Sequence, residues 1–113
     1  MSSDTHDHSL APSTAFELLA DPCRRGVLYV LFDTGEPMRH EQLIERMLQR
    51  EVTSFRDRRR LRLELHHAAL PKLTATRFVH YDERTRRLHL TDPESELKPY
   101  LAFAQSMEPT RTR

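Results

Sequence analysis

The sequence predicts a mainly α-helical fold with one small β-hairpin. Three observations carry this expectation. Apolar residues recur at helical spacing in several stretches, they alternate in one short stretch, and prolines stand at the joints between stretches. The chain has 113 residues and 37% of them are apolar, which allows one small core and excludes two.

Taken in order, Ser13 or Thr14 is expected to cap a first helix carrying Phe16, Leu18 and Leu19. It stops near Asp21, because Pro22 disfavours helical geometry in the residue before it. Pro22 then opens a second helix. Its residues Val27, Leu28, Val30, Leu31 and Phe32 predict burial, and Gly35 suits the C-cap. Pro37 and Met38 are short and extended. Leu43, Ile44, Met47 and Leu48 mark a third, amphipathic helix, weakly capped by Arg39 or His40.

Residues 51–57 form a polar connection with Val52 and Phe55, and Asp57 caps a fourth helix running from Arg58 to about Leu70. Pro71 is expected to kink or end it. Phe78, Val79 and Tyr81 form one strand, Asp82 to Thr85 a turn, and Leu88 with Leu90 a second strand. Asp92 and Pro93 make an N-cap and N1 pair, but Pro99 interrupts the pattern, which places the last helix from Pro99 to Met107. A two-stranded hairpin is too small to stand alone and must pack on helices. Four helices, a two-stranded wing and a C-terminal helix predict a winged helix-turn-helix domain at residues 13–107, with disordered tails at 1–12 and 108–113.

Charge is distributed unevenly along this frame. The chain carries 18 basic and 17 acidic side chains for a net +1, yet residues 39–62 carry +4 and residues 77–91 carry +2. All the basic residues except Lys72 and Lys98 are arginine, a side chain suited to forked contacts with phosphate or carboxylate. The fourth helix opens on Arg56, Arg58, Arg59, Arg60 and Arg62, where a helix seated in the major groove needs cations. The same block also reads as a solvated face paired with Glu51, Asp57 and Glu64. Arg84, Arg86 and Arg87, with His89, sit at the hairpin turn and its return strand, where a wing meets backbone phosphates. His66 completes the set of candidate DNA contacts.

The fourth helix has two apolar stripes, Leu61, Leu65, Ala68 and Ala69 on one side and Leu63, His67, Leu70 and Leu73 nearly opposite. Both call for cover, and the pattern leaves open which side meets DNA. The last helix, with Tyr100, Leu101, Phe103, Ala104 and Met107, is more apolar than an exposed terminal helix should be. With Phe16 and Leu19 it makes a candidate homodimer surface; packing back on the same subunit is the alternative.

Several classes are excluded or disfavoured. Only Gly26 and Gly35 are glycine, so there is no glycine-rich phosphate loop, and neither a nucleophile elbow nor a zinc-peptidase motif is present. No enzymatic activity and no cofactor are expected. A single cysteine, Cys23, allows no internal disulfide and no thiol-based zinc site, and it reads as a small apolar residue with a redox role as the minor alternative. The adjacent His66 and His67 diverge by about 100° on a helix and do not share an ion, and His40 and Cys23 stand at no recognised ligand spacing. With neither an 18-residue apolar run nor a signal-peptide pattern, a cytoplasmic protein without membrane contact is expected.

The run Leu18-Leu19-Ala20-Asp21-Pro22-Cys23-Arg24-Arg25-Gly26-Val27-Leu28 resembles the opening of ArsR-type winged-helix regulators. Leu70-Pro71-Lys72-Leu73 followed by Phe78-Val79 resembles the end of that family's recognition helix and the start of its wing. His66-His67 ahead of the same run is similar to a haloarchaeal winged-helix domain family of uncharacterised function. The resemblance covers roughly residues 14 to 91 and implies the fold, an archaeal setting and a DNA-binding role. Metal-sensing members carry paired thiols, which this chain lacks. The expected function is a homodimeric transcriptional regulator on double-stranded DNA, with the fourth helix in the major groove and the wing on the backbone. The alternative is a protein-interaction module of the same fold, in keeping with a pI near 8.0, below the value above about 9 common among dedicated DNA binders.

Overall fold

The computed structural model describes residues 11–50, 57–91 and 96–108. Its elements are α1 (Pro12–Ala20), α2 (Pro22–Thr34), α3 (His40–Arg50), α4 (Arg58–Glu64), a π-helical turn (Leu65–Ala69), α5 (Leu70–Thr74), β1 (Val79–Asp82), β2 (Arg87–Leu90) and α6 (Leu97–Met107). The fold is mainly helical with a two-stranded antiparallel hairpin, compatible with a winged-helix-like fold. The polar connection with Val52 and Phe55, the Arg56 side chain and the Asp92–Pro93 pair lie outside the described residues.

The Asp21-Pro22-Cys23-Arg24-Arg25 run has a local physical explanation. Asp21 is extended, which ends α1, and its carboxylate accepts the Arg24 N–H at 2.9 Å as the N-cap of α2. Pro22 takes the first helical position, where its missing N–H is not needed. The two arginines then reach back to α1. Arg24 donates to the carbonyls of Leu18 (3.1 Å) and Glu17 (2.7 Å), and Arg25 to that of Leu19 (2.7 Å). These carbonyls belong to the last turn of α1 and have no helical partner, so cations there satisfy them and complement the negative end of the helix dipole. At its other end α1 begins at Pro12, ahead of the expected Ser13 or Thr14 cap, and Ala11 in the N-cap position offers no side-chain bond.

Helix α2 is the centre of the core. Gly26, Val27, Leu28, Tyr29, Val30 and Leu31 are all buried, the signature of a helix covered on every side. Gly35 ends it in the left-handed conformation (φ 68°) and donates to the Leu31 carbonyl at 3.0 Å. Leu43, Ile44 and Met47 of α3 pack into the same core. Arg39 precedes α3, and Gln42 accepts its backbone N–H at 3.0 Å, one half of a capping box.

Pro71 neither ends nor breaks the fourth helical stretch. The turn before it widens, with the Leu70 N–H bonded to the Leu65 carbonyl five residues back, and the chain then continues as α5 to Thr74. A proline ring clashes with the carbonyl four residues earlier in an α-helix, and a π turn relieves that crowding. The extra residue also sets everything after it back by about 100°. Leu70 and Leu73 therefore join Leu61, Leu65 and Ala69 on one buried face, while Leu63, His67 and Ala68 are exposed. The two stripes expected from an uninterrupted helix are one stripe interrupted by a change of phase.

The hairpin pairs Val79 with Leu90, His80 with His89, Tyr81 with Leu88 and Asp82 with Arg87. Val79 and Leu88 are buried against the helices. Met38, extended as expected, exchanges two backbone hydrogen bonds with Leu88 (2.8 and 2.7 Å) on the edge of β2 away from β1. This one-residue third strand ties the segment between α2 and α3 to the wing. The last helix begins at Leu97, two residues before the expected Pro99, because a proline in the first turn lacks only an N–H that would have no helical partner.

Candidate nucleic-acid interface

The arginines that open α4 fall into two sets. Arg58 pairs with Glu45 (2.6 Å), and Arg62 places two nitrogens on the Glu41 carboxylate (3.0 and 3.2 Å). Both partners are on α3, not at the expected Glu51, Asp57 or Glu64. The signal was present as two matched i, i+4 pairs, Glu41 with Glu45 and Arg58 with Arg62, which meet when two helices cross in antiparallel sense. Arg62 holds the Glu41 carboxyl below its ordinary range, first through their hydrogen bond and then through its charge. Arg59 and Arg60 are exposed and have no ion pair among the described residues. Asp57 anchors this end by accepting the Arg59 N–H at 3.0 Å.

With Leu61 and Leu65 in the core, helical spacing puts Arg59, Leu63 and His67 in a row on the outer side, flanked by Arg60. This settles which stripe of α4 is available to a ligand. His66 is exposed and meets the His40 ring edge-on at 4.7 Å, and His40 in turn stacks on Tyr81 at 5.4 Å with 25° between planes.

At the wing, Arg84 and Arg86 are exposed on the tip, and Arg87 is half-buried opposite Asp82. The Asp82 carboxylate accepts the Arg84 N–H at 2.9 Å, and this bond is the main reason that its carboxyl titrates below the usual value. Arg86 has φ 61°, a left-handed conformation that only glycine adopts freely. Arg86→Gly is expected to raise stability by about 1 kcal/mol through relief of that strain. The urea midpoint measures it, and an unchanged midpoint would contradict the strain argument.

His40 gives the fold a pH dependence. Burial pushes its pKa below the ordinary 6.5, the charge of His66 adds to this, and Glu41 opposes it. The native state therefore binds a proton less readily than the unfolded chain, so the contribution of neutral His40 is present above 6.5 and lost as pH falls through the native pKa. Urea unfolding at pH 7.5 and 5.5 is expected to show a larger loss of stability on acidification for the parent than for His40→Gln. Equal losses would assign the effect elsewhere.

Cys23 is buried, and burial pushes its thiol up to about 12, with the charges of Asp21 and Glu64 adding and Arg24 opposing. The thiol is protonated at neutral pH, contrary to a reactive or redox-switching role. Among the described residues no group of three or more potential metal ligands occurs, and no helix is long and apolar enough to cross a membrane.

The expected dimer surface divides as well. Leu19 and Leu101 are buried in the chain's own core, where α1 packs on α6, and Leu19 also lines the groove between these helices. Phe16, Phe103 and Met107 are 54%, 59% and 69% exposed, with Tyr100 and Ala104 half-buried between them and the core. Phe16 meets Tyr100 edge-on at 5.7 Å. Together they line an open groove of about 240 Å³, closed at its polar end by Arg25 and Glu108. The Glu108 carboxylate accepts from Arg25 (2.8 Å) and from the Tyr29 hydroxyl (2.9 Å), which anchors a residue assigned from sequence to a tail.

No curated protein and no solved structure matches this chain. A family model does match, over residues 16–89, from α1 into β2, and leaves α6 outside the match. The chain belongs to the family described as a domain of unknown function, DUF7344.

Proposed function

We propose that this protein is a winged-helix transcriptional regulator that binds double-stranded DNA as a homodimer. The observation that carries the reading is the first turn of α4, where Arg59 and Arg60 stand exposed and without an ion pair among the described residues, beside α3. Cations at a helix N-terminus oppose the helix dipole, and a polyanion in the major groove compensates them. The resemblance to ArsR-type regulators across residues 14 to 91 supports the same reading. Arg84 and Arg86 at the wing tip supply the backbone contacts, and Arg58 and Arg62 first buttress α4 on α3 and can exchange Glu45 and Glu41 for phosphate. The groove formed by Phe16, Phe103 and Met107 is the dimer contact, with Tyr100 and Ala104 at its base. The reading places the protein in the cytoplasm and gives it no catalytic role.

Fluorescence anisotropy against a duplex from the region upstream of its own gene, and against scrambled duplex, at several salt concentrations, tests the proposal. Specific binding that weakens steeply with salt is expected. The same apolar groove favours a second reading, a protein-interaction module, which predicts no duplex binding even at low salt. A monomeric mass at micromolar concentration would overturn the dimer.

A further inference from the structure

We propose that the outer row of α4, Arg59, Leu63 and His67, is what distinguishes one DNA sequence from another, and that Leu63 selects a thymine through its 5-methyl group. The inference rests on the DNA-binding reading above, which assigned only arginines to the duplex. Leu63 is 49% exposed at the centre of the free face of α4. The other large exposed apolar side chains among the described residues, Phe16, Phe103 and Met107, belong to the groove between α1 and α6, so Leu63 stands apart from them.

Its surroundings indicate the occupant. Arg59 precedes it by one helical turn, Arg60 flanks it, and neither has an ionic partner among the described residues. An apolar protein surface seated on Leu63 would have to strip water from both guanidinium groups without returning a charge. A major groove supplies both needs at once. Phosphates and the O6 and N7 atoms of guanine accept from arginine, and the thymine methyl is an apolar group that a base edge presents there. Four helical residues span about 6 Å, against 3.4 Å per base step, so Arg59 and Leu63 would meet bases roughly two steps apart. The preferred site is thus a duplex with a guanine and a thymine at that separation.

Selection from a random duplex library with the full-length protein identifies a site, and each thymine in it is then replaced by deoxyuridine, which lacks only the methyl group. At one position the replacement is expected to weaken binding by the parent about fourfold, the worth of one buried methyl, and to leave binding by Leu63→Ala unchanged. A thermal melt of Leu63→Ala that matches the parent shows that the loss is local. Binding that ignores deoxyuridine at every position, or a Leu63→Ala variant that still prefers thymine, overturns the inference and leaves the DNA-binding reading standing. Absence of binding to any duplex overturns both.

Discussion

Replacing Arg59 and Arg60 together by alanine is expected to lower affinity for duplex DNA by about 10- to 100-fold at moderate salt and to reduce the slope of log K against log salt by roughly 2. The matched double variant Arg58→Ala, Arg62→Ala is expected to lose less than about tenfold. The difference follows from what each pair does in the free protein. Arg58 and Arg62 are already held by Glu45 and Glu41, and a phosphate gains from them only what remains after those ion pairs open. Arg59 and Arg60 have no such partner among the described residues and release counterions in full. Salt-dependent anisotropy on all three proteins measures the contrast. Equal losses in the two double variants would mean that the α3 glutamates do not restrain the arginines.

Replacing Leu70 by alanine is expected to destabilise the fold by about 2–5 kcal/mol, a large share of the stability of a domain this small, whereas Leu63→Ala is expected to change it by less than about 0.5 kcal/mol. In an uninterrupted α-helix these residues, seven apart, would lie within about 20° of each other and respond alike. Here Leu70 is 6% exposed and Leu63 49%, because the π turn between them changes the phase. Removing one residue from that turn, by deletion of Ala68, takes out the extra residue and places Leu70 four and Leu73 seven positions after Leu65, so a regular α-helix keeps both on the buried face. Cooperative unfolding is expected to be retained, in contrast to the large loss from Leu70→Ala. Urea titrations followed by circular dichroism test all three, with Leu70→Met as the volume-conserving control that should lose under about 1.5 kcal/mol. Similar losses for Leu63→Ala and Leu70→Ala would rule out the change of phase.

The contrast between these two regions of one helix shows what a sequence can and cannot carry. The sequence by itself determined the features governed by neighbours within a few residues. The Asp21-Pro22 break, the left-handed Gly35 and the Asp57 cap were all legible because capping and turn chemistry act over two to four positions. The central place of α2 and the pairing of the hairpin were legible because hydrophobic period and turn residues set them. The identity of the arginine block was equally plain, but its division into held and free side chains was not.

Only the tertiary structure decided that division, because Arg62 and Glu41 are 21 residues apart and meet through the crossing of two helices. The same holds for Met38 against Leu88, for the burial of Leu19 and Leu101 inside the chain, and for Glu108, which reaches Arg25 across 83 residues. The phase of α4 and α5 belongs with them. A proline announces strain wherever it falls, but whether the chain answers with an end, a kink or a π turn depends on which choice returns Leu70 and Leu73 to a core built by other elements.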